Sequence, residues 1–465
     1  MNDGTYKNAN ARLTADINLS VYTNWTAIGG ETNKYAGTFD GRGHEIKGLA
    51  VNITDAAGNY LYTGLFGYVT GTIKNLAVSG SITVNCGGVN EINAGGVAGQ
   101  VFGGAVENCV SRVSVTSTNT IGSGARNYLG GVVGYLNNGS AANCTSYGNV
   151  TSEMAAGPDC TGNAGGVVGY NSDGTISNCV SYGAVTSNGD SGDVSNAYVY
   201  AGGITAQNWG TIENCTSYSD VATTAGSDDE AKTGGIAGNN GHGDSCVIKN
   251  CVVGAVSISQ NGDKDKAGAI LGRQGSGSTT NCAWEKGDNM PQQGIAGGTL
   301  TGAKGLDSLD GVVTSLSASI EPSTITKEGT ATIKLTTTPK ADSFDNSGAV
   351  RNITLVKEGE GAYDTNVVTV TPGENAASYI VTAVAPGATD ITITADLHNM
   401  DFSSLTYSDD DKKTYTFTLP VTVAAETAPS QPGSGSTGGG GGGCSTGFGA
   451  LALLAAVPLL LRRKK

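Results

Sequence analysis

The chain has 465 residues, of which 73 are glycine and 10 are proline, and only 14% carry a charge. No Gly-X-Y period appears, which excludes collagen, and the regular spread of Val, Ile, Leu and Tyr argues against plain disorder. The net charge of −14 argues against nucleic acid as a partner, because little basic charge is available to neutralise phosphates. The composition therefore indicates a β-rich extracellular protein with many short strands and glycine turns.

The first residues, MNDGTYKNANARL, lack the apolar stretch of a signal peptide. The C-terminal segment, described below, nevertheless indicates export. We therefore expect that an N-terminal signal peptide is missing from the given chain.

A repeat marked by an Asn-Cys dipeptide occupies the first two-thirds of the chain. The fourth copy, AGGVVGYNSDGTISNCVSYGAVTS, starts at Ala164, and Asn75-Leu76 holds the position of the dipeptide in the first copy. Successive cysteines of the dipeptide are separated by 35, 35, 36, 36 and 31 residues. They are Cys109, Cys144, Cys179, Cys215, Cys251 and Cys282.

Each copy contains three short β-like runs, which are GGVVGY, GTISNC and YGAVTS in the fourth. Gly, Asn and Ser turn signals bound these runs, and no 3.6-residue helical period appears. Three short strands with turns between them describe one coil of a parallel β-helix, stacked on the next coil at about 4.8 Å. The sequence therefore predicts an all-β fold in which residues 1–290 form a β-solenoid.

Alternation along the strands predicts which side chains face the interior. The asparagines before the cysteines are expected at chain corners, where Asn tolerates the left-handed conformation and stacked amides can form hydrogen bonds. The cysteines replace the inward Leu76, so a row of buried thiols acting as small hydrophobes is the favoured interpretation. The predicted inward residues are Ile73, Leu76, Val78, Ile82 and Val84 in the first copy, and Ile176, Cys179, Ser181 and Val185 in the fourth.

Two other interpretations of the cysteines stay open. A zinc site needs clustered Cys and His ligands, and the chain has only three histidines. Disulfides between stacked cysteines meet parallel Cβ vectors, which is poor geometry for the bond. Cys86, Cys160 and Cys246 lie in or beside the loops and are better disulfide candidates, with undetermined partners.

The GG-[VI]-[VA]-G core with the trailing Gly-x-Ile-x-Asn-Cys resembles the GLUG repeat of bacterial surface proteins. The stretch from Arg12 to Val51 is similar to the lead-in coils of such repeats, and the resemblance covers roughly residues 11–287. It implies a β-helical extracellular module that is often adhesive or matrix-associated. It does not by itself imply a reaction.

Segments of variable length join the copies and should emerge along one edge of the solenoid. Variable loops on a rigid scaffold are a common binding face, although loose surface decoration explains them equally well. These segments are residues 85–93, 118–128, 153–163, 188–200, 225–232 and 260–266.

Tyr147, Tyr182 and Tyr218 occupy the third position after successive Asn-Cys cysteines, and Arg112 takes that place one coil earlier. We expect these residues to stack on consecutive coils and to offer a ligand site for a glycan, because ring faces pack against sugar C–H surfaces. Cross-strand stabilisation is the alternative explanation. A similar, weaker stripe is formed by Tyr68, Tyr135 and Tyr170.

Catalytic and cofactor signals are weak. HExxH and phosphate-loop motifs are absent from the sequence, so no catalytic residue and no cofactor is predicted. Structural calcium at the Asp-containing turns of residues 171–175 and 261–265 remains a minor possibility. A cluster of Asp40, His44 and Glu45 keeps a polysaccharide lyase or hydrolase as the alternative function.

After Cys282 the repeat ends, and residues 291–310 are expected to form a cap and linker. Residues 311–425 show alternating strands with Pro and Gly turns, which predicts an antiparallel β-sandwich. The segment VTVTPGENAASYIVTAVAPGATDITITA resembles bacterial immunoglobulin-like domains. That resemblance implies a spacer.

Residues 426–443 form a Gly/Ser/Pro-rich tether, and residues 444–465 contain a short apolar run expected to be a hydrophobic helix. Arg462 and Arg463 belong to a basic end that should stay cytoplasmic. The glycine run, Cys444, the apolar run and the basic end resemble the Synerg-CTERM and GlyGly-CTERM sorting signals. That resemblance implies cleavage near Gly443 or Cys444 by an envelope sorting protease. An ordinary membrane anchor is the alternative.

The sequence as a whole favours an exported adhesin-like protein on the bacterial cell surface. Its expected partners are a glycan or an extracellular host or matrix surface, with the membrane contacted through the tail. A purely structural envelope protein is a further alternative, besides the polysaccharide-degrading enzyme.

Overall fold

The computed structural model describes residues 7–425 except 122, 155–157, 190–196, 227–228, 242, 264–265, 297, 310–311, 339–348, 358, 360–361 and 376, and excludes the side chains of residues 408–411. The tether, the sorting signal and the processing residues Gly443, Cys444, Arg462 and Arg463 therefore lie outside the described residues. In the part of the chain that is described, no helix is long and apolar enough to cross a membrane. The regular elements named below are all β-strands.

Four parallel sheets, named A to D, form the solenoid, and the chain visits them in the order D, C, A, B in each coil. Sheet A comprises Ala11–Arg12, Thr38–Asp40, Thr72–Lys74, Ala105–Glu107, Ser140–Ala142, Thr175–Ser177, Thr211–Glu213, Val247–Lys249 and Ser278–Thr280. Sheet B comprises Ile17–Asn18, Glu45–Ile53, Ala77–Cys86, Val110–Asn119, Thr145–Ser146, Val150–Met154, Val180–Ser181, Val185–Gly189, Thr216–Ser217, Val221–Thr224, Val252–Val253, Ile258–Gln260, Cys282–Glu285 and Ala303–Leu306. Sheet C comprises Phe66–Val69, Ala98–Phe102, Val133–Asn137, Val168–Ser172, Thr205–Asn208, Ala237–Asn240 and Leu271–Gln274. Sheet D comprises Ala57–Thr63, Gly88–Gly95, Arg126–Gly130, Thr161–Gly165, Tyr198–Gly202 and Glu230–Gly234.

Each coil thus has one more side than the three predicted from the sequence. The run predicted as a single strand, such as LGGVVGY from Leu129, bends at its glycine pair and divides between sheets D and C. A Cβ atom on Gly130 would lie 1.9 Å from the Val133 carbonyl oxygen, and one on Gly131 would lie 2.0 Å from Ser146 Oγ. The next coil is also close, with Gly166 O 2.3 Å from a Cβ atom on Gly131, so only glycine fits this bend.

The parallel β-solenoid itself is confirmed. Equivalent positions pair from coil to coil, as in Ile73 with Val106, Val106 with Ala141, and Ala141 with Ile176. All nine side chains predicted to face inward are buried, with at most 1% of their surface exposed. They belong to one continuous hydrophobic core along the solenoid axis, which stabilises the stack without any disulfide.

The asparagine corners also have the predicted geometry. Seven equivalent asparagines adopt positive φ angles of 49–55°, in the left-handed region where the asparagine side chain is tolerated. Neighbouring amides form hydrogen bonds at both ends of this row, from Asn108 Nδ2 to Asn75 Oδ1 at 3.2 Å and from Asn281 Nδ2 to Asn250 Oδ1 at 2.7 Å. We call the row the asparagine ladder; it comprises Asn75, Asn108, Asn143, Asn178, Asn214, Asn250 and Asn281.

The cysteines of the Asn-Cys dipeptides are free thiols within the core. Each is fully buried, and each sulfur donates to the carbonyl oxygen two residues earlier at 3.2–3.3 Å. Cys86, Cys160 and Cys246 are also buried and free, so the disulfides considered for them do not form. Cys86 packs in the solenoid core. Cys160 packs against Ala125 and Met154 in a small apolar cluster beside the coils.

A second module follows the solenoid and consists of two four-stranded sheets, E and F, that share one hydrophobic core. Ala303–Leu306, within the predicted cap and linker, pairs with Cys282–Glu285 and extends sheet B before this module begins. Sheet E contains Ser315–Glu321, Thr330–Thr338, Val368–Pro372 and Ser378–Ala383. Sheet F contains Thr324–Ile325, Val350–Leu355, Gly387–Asp401 and Thr406–Val423.

The second module packs against the side of the solenoid, which differs from the separated spacer implied by the sequence. The hairpin of Gly387–Asp401 and Thr406–Val423 runs beside the asparagine ladder, with Tyr415 Oη donating to Asn178 Oδ1 at 2.7 Å. Further along, Phe402 N donates to Asn281 Oδ1 at 2.9 Å. A small apolar cluster that includes Val252, Ala283, Leu309, Val312 and Phe402 completes the contact. Burial of these outward-facing apolar residues explains why the module lies against the coils.

Candidate functional site

Arg112, Tyr147, Tyr182 and Tyr218, which the sequence predicts to be adjacent, lie side by side on successive coils of sheet B. The rings of Tyr147 and Tyr182 are 4.9 Å apart and inclined by 4°, and those of Tyr182 and Tyr218 are 5.2 Å apart and inclined by 10°. The guanidinium of Arg112 lies 5.2 Å from the centre of the Tyr147 ring. The structure therefore brings together all four residues, which we call the outer tyrosine stack.

The geometry of the outer tyrosine stack changes the expected mode of binding. Each parallel ring covers the face of the next one, Arg112 covers the far face of Tyr147, and Tyr218 leans over Gly254. A Cβ atom on Gly254 would lie only 2.5 Å from Tyr218 Cδ1. The ring faces are therefore occupied, and a sugar ring meets only the edges and hydroxyl groups of these tyrosines.

The hydroxyl groups of Tyr182 and Tyr218 stay protonated at neutral pH. Burial raises the pKa of Tyr182, and burial together with the neighbouring Tyr182 and Glu285 raises the pKa of Tyr218 to about 12. Tyr147 and Tyr182 nevertheless remain 46% and 43% exposed. Tyr147 and Tyr182 thus present their ring edges to solvent, one on each of two successive coils.

The second tyrosine stripe has a different ring geometry. Tyr135 and Tyr170 lie on adjacent strands of sheet C, with their rings 5.3 Å apart and inclined by 78°. Tyr128 of sheet D reaches both rings across the bend, at 5.3 and 5.0 Å and with inclinations of 43° and 42°. Inclined rings do not cover one another as a parallel stack does. Tyr128, Tyr135 and Tyr170, which we call the corner cluster, are each half-buried and so present part of their surface to solvent, although less of it than Tyr147 and Tyr182 do.

Tyr68, the first member of the weaker stripe, is separated from the corner cluster. Gln100 lies between Tyr68 and Tyr135 in the register of sheet C. Tyr68 instead packs against Tyr62 at 5.0 Å and lies beneath the ammonium group of Lys34 at 4.5 Å. Because Gln100 takes the intervening position, Tyr68 is separated from Tyr135 and Tyr170, and the predicted row of three tyrosines consists of two groups.

Amide side chains continue the corner on the next coils. Tyr170 pairs with Gln207 in sheet C, and Tyr128 pairs with Asn163 in sheet D. Gln207 Nε2 donates to Asn163 Oδ1 at 2.7 Å, which fixes the orientation of both amides. Aromatic rings on two coils are therefore followed by a fixed pair of amides on the neighbouring positions.

Tyr128 is the site residue that the sequence analysis did not single out. It stands at the end of one of the variable segments, and the glycine pair between Tyr128 and Tyr135 hides their proximity. The sequence does contain a usable pattern, which is two tyrosines seven residues apart with a Gly-Gly pair between them. The bend at that pair brings Tyr128 into contact with Tyr135. Burial raises the pKa of Tyr128 and of Tyr170, so both phenols are neutral at physiological pH.

The variable segments leave sheet B and enter sheet D at equivalent positions of the coil, as the sequence predicts. Parts of five of them lie outside the described residues. The first five lead into sheet D strands, at positions such as Tyr128, Asn163 and Tyr200 that pair from coil to coil, and the last, residues 260–266, follows the final strand of sheet D. The loop edge and the corner cluster are therefore neighbouring parts of one surface.

Asp40, His44 and Glu45 do not assemble into a pair of free carboxylates. Asp40 Oδ1 accepts hydrogen bonds from Arg42 N at 2.9 Å and from Asn75 Nδ2 at 3.0 Å. His44 Nδ1 lies 3.3 Å from Asp16 Oδ1, and Glu45 Oε1 accepts from Ser79 Oγ at 2.8 Å. The hydrogen bond from Glu45 N is the main cause that lowers the pKa of Asp16. These groups stabilise the first coils.

The turn of residues 171–175, considered for calcium, is held by its own hydrogen bonds. Asn171 Nδ2 donates to the Gly174 carbonyl at 3.1 Å, and Ser172 Oγ donates to Asp173 Oδ2 at 3.5 Å. Residues 264 and 265 of the second turn lie outside the described residues. Among the described residues, no group of three or more His, Cys, Asp or Glu side chains could hold a metal ion.

The fold and the site define a parallel β-solenoid with regular surface rows of tyrosine and amide side chains. No family model matches the chain. Over 81 residues, which are 16% of this chain, the protein is 38% identical to a "Putative Gly-rich membrane protein" of Evansella cellulosilytica, and the match spans 9% of the length of that relative. The crystal structure of a "putative immunoglobulin A1 protease" from Bacteroides ovatus is similar over 58% of this chain and 77% of its own, with a TM-score of 0.33 and 20% identity.

Proposed function

We propose that this protein is an exported, surface-anchored, adhesin-like protein whose solenoid binds an extended glycan along the corner cluster. The observation that carries the proposal is the inclined arrangement of Tyr128, Tyr135 and Tyr170, with ring centres 5.0–5.3 Å apart. Aromatic faces pack against the C–H surfaces of sugars, and fixed amides select their hydroxyl groups. On the adjoining position Gln207 is the amide nearest the surface, and its hydrogen bond to the fully buried Asn163 fixes its orientation.

The solenoid supports binding of an extended chain better than binding of a compact molecule. Its coils repeat at the spacing of β-strands, about 4.8 Å, so equivalent groups recur along a line. In sheet C, the position of Tyr170 pairs on successive coils with Gln207, then Asn239, then Arg273. A glycan lying along the solenoid axis would contact aromatic surface at one end of this line and polar groups at the other.

The cellular setting is part of the same proposal. Residues 11–287 are proposed to be GLUG repeats, and the two-sheet module an immunoglobulin-like domain. The segment from Cys444 to Lys465 is proposed to be a sorting and anchoring signal. The glycine-rich tether before it would let the body reach a glycan on a host or matrix surface.

A glycan-binding screen of the purified protein tests the proposal. We expect binding to at least one polysaccharide, and loss of at least tenfold in affinity in Tyr135→Ala at a temperature where the variant remains folded, as its cooperative unfolding transition shows. Lys334→Ala, on the exposed side of sheet E, is the matched control and should bind normally. Binding that survives Tyr135→Ala unchanged would contradict the corner assignment.

A second measurement on the same samples distinguishes a polysaccharide-degrading enzyme from a protein that only binds the polysaccharide. Release of new reducing ends from the bound polysaccharide would overturn a purely adhesive function. We expect none over a prolonged incubation, because the described carboxylates near the first coils are engaged in structural hydrogen bonds.

A further inference from the structure

A cleft of about 890 Å³ lies between the asparagine ladder and the hairpin of the second module. The hairpin contacts Asn178 at one point of the ladder and Asn281 further along, through Tyr415 and Phe402. Asn214 and Asn250 stand between these two contacts and line the cleft. The volume is within the range of small-molecule pockets, which is about 300–1,000 Å³.

One amide in this cleft lacks a partner. The side chain of Asn214 is 4% exposed, and its Oδ1 atom is buried without any hydrogen bond within the described part of the chain. A buried acceptor without a donor is unfavourable, so a ligand that donates a hydrogen bond to Asn214 Oδ1 would stabilise this side chain. A sugar hydroxyl group is such a donor.

The cleft is positively charged although the protein is acidic overall. Lys249, Lys304, Lys412 and Lys413 line it, together with the acids Glu213 and Asp401. The net charge of the chain is −14, so this concentration of lysine is a local exception.

The acids at the cleft are already engaged. Glu213 lies 3.0 Å from Lys249 Nζ and 3.8 Å from Lys413 Nζ. Asp401 accepts hydrogen bonds from Ser403 and Ser404 at 2.7–3.0 Å, and Asp396 behind the cleft accepts from Lys412 Nζ at 2.6 Å. Lys304 stands exposed at the rim, where its ammonium group can meet an incoming anion.

From the unpartnered amide and the lysine lining, we infer that this cleft binds a carboxylate-bearing saccharide, such as a uronic acid unit, separately from the corner cluster. The hydroxyl groups of the sugar would donate to Asn214 Oδ1, and its carboxylate would pair with Lys304 and its neighbours. The site exists only where the two modules meet, because sheet A and the ladder supply one wall and the hairpin supplies the other. This inference does not depend on the proposed binding at the tyrosines.

Titration of the full protein with a galacturonic acid trimer tests this site, with a neutral galactose trimer as the reference ligand. We expect the acidic trimer to bind and the neutral one to bind at least tenfold more weakly. Lys304→Glu should lower the affinity for the acidic trimer at least tenfold. Lys334→Glu makes the same change of charge on sheet E and should leave the affinity unchanged.

A second variant removes the amide without straining the backbone. Asn214 has a φ of 55°, which glycine adopts freely, so Asn214→Gly should lose binding and keep its unfolding temperature within a few degrees. Equal affinity for both trimers, unchanged binding in both cleft variants, or displacement by equimolar sulfate would overturn the inference. Tyr135→Ala should bind the acidic trimer normally, so failure at the corner cluster and failure at the cleft are distinguishable.

Discussion

The outer tyrosine stack and the corner cluster use the same residue type on neighbouring coils, and they differ in ring geometry. In the outer stack the rings are parallel within 10°, so their faces contact one another. In the corner cluster the rings are inclined by 42–78° around a bend between two sheets. The comparison teaches that regular spacing predicts a row of tyrosines, whereas the local bend decides whether the ring faces cover one another, and we propose that only the inclined arrangement serves a ligand.

The largest expected effect is that Tyr182→Ala, in the outer tyrosine stack, lowers stability without lowering glycan affinity. Tyr182→Ala removes two parallel ring contacts, each worth about 0.5–1.5 kcal/mol beyond burial. We therefore expect the free energy of unfolding to fall by about 1–3 kcal/mol, measured by chemical denaturation. Glycan affinity should change less than twofold in the same variant. A large loss of affinity with unchanged stability would reverse the roles given to the two groups.

A smaller effect is expected from the glycine beneath the stack. The Cβ atom of Gly254→Ala would approach Tyr218 Cδ1 to 2.5 Å, so the Tyr218 ring must tilt away from its parallel arrangement. We expect a loss of about 1 kcal/mol in the free energy of unfolding, because overpacking displaces the ring at a half-buried position. Gly43→Ala is unsuitable as the control, since its φ of 81° adds backbone strain. Ala222→Ser on the outer face of sheet B is the neutral comparison and should unfold as the parent protein does.

The smallest effect is a change with pH. The ordinary tyrosine pKa is 10.0, and that of Tyr218 in the folded protein is raised to about 12. Between these values the unfolded chain loses the proton while the folded protein keeps it, so the contribution of Tyr218 to stability is complete below pH 10 and is lost as the pH rises to 12. Tyr218→Phe should therefore show a shallower fall in unfolding temperature between pH 10 and 12. An identical slope in parent and variant would contradict the buried environment assigned to this hydroxyl.

Much of the solenoid could be predicted from the sequence because its rules are local. Inward alternation placed Ile73 and Cys179 in the core, and the left-handed tolerance of asparagine placed Asn178 at a corner. The fourth side of the coil was not predicted, because bending at Gly130 and Gly131 depends on the coils above and below. The same bend brings Tyr128 to the corner cluster.

The position of the second module depends on contacts that no local rule contains. Tyr415 and Asn178 are 237 residues apart, and the hydrogen bond between them forms only when the hairpin lies along the ladder. Strand patterns in residues 311–425 predicted β-strands in this region, but they did not predict the parallel pairing of Thr324–Ile325 with Thr406–Val423 or where the sheets would pack. The cleft beside Asn214 was therefore beyond the reach of sequence analysis.

Calorimetric titration of Tyr170→Ala and Tyr182→Ala with the glycan that binds the parent protein tests the central claim most directly. Both variants remove one tyrosine from a cluster of three, and they differ in whether that ring lies in an inclined or a parallel arrangement. The account predicts an affinity loss of at least tenfold for Tyr170→Ala and less than twofold for Tyr182→Ala. Equal losses in the two variants, or the larger loss in Tyr182→Ala, would contradict it.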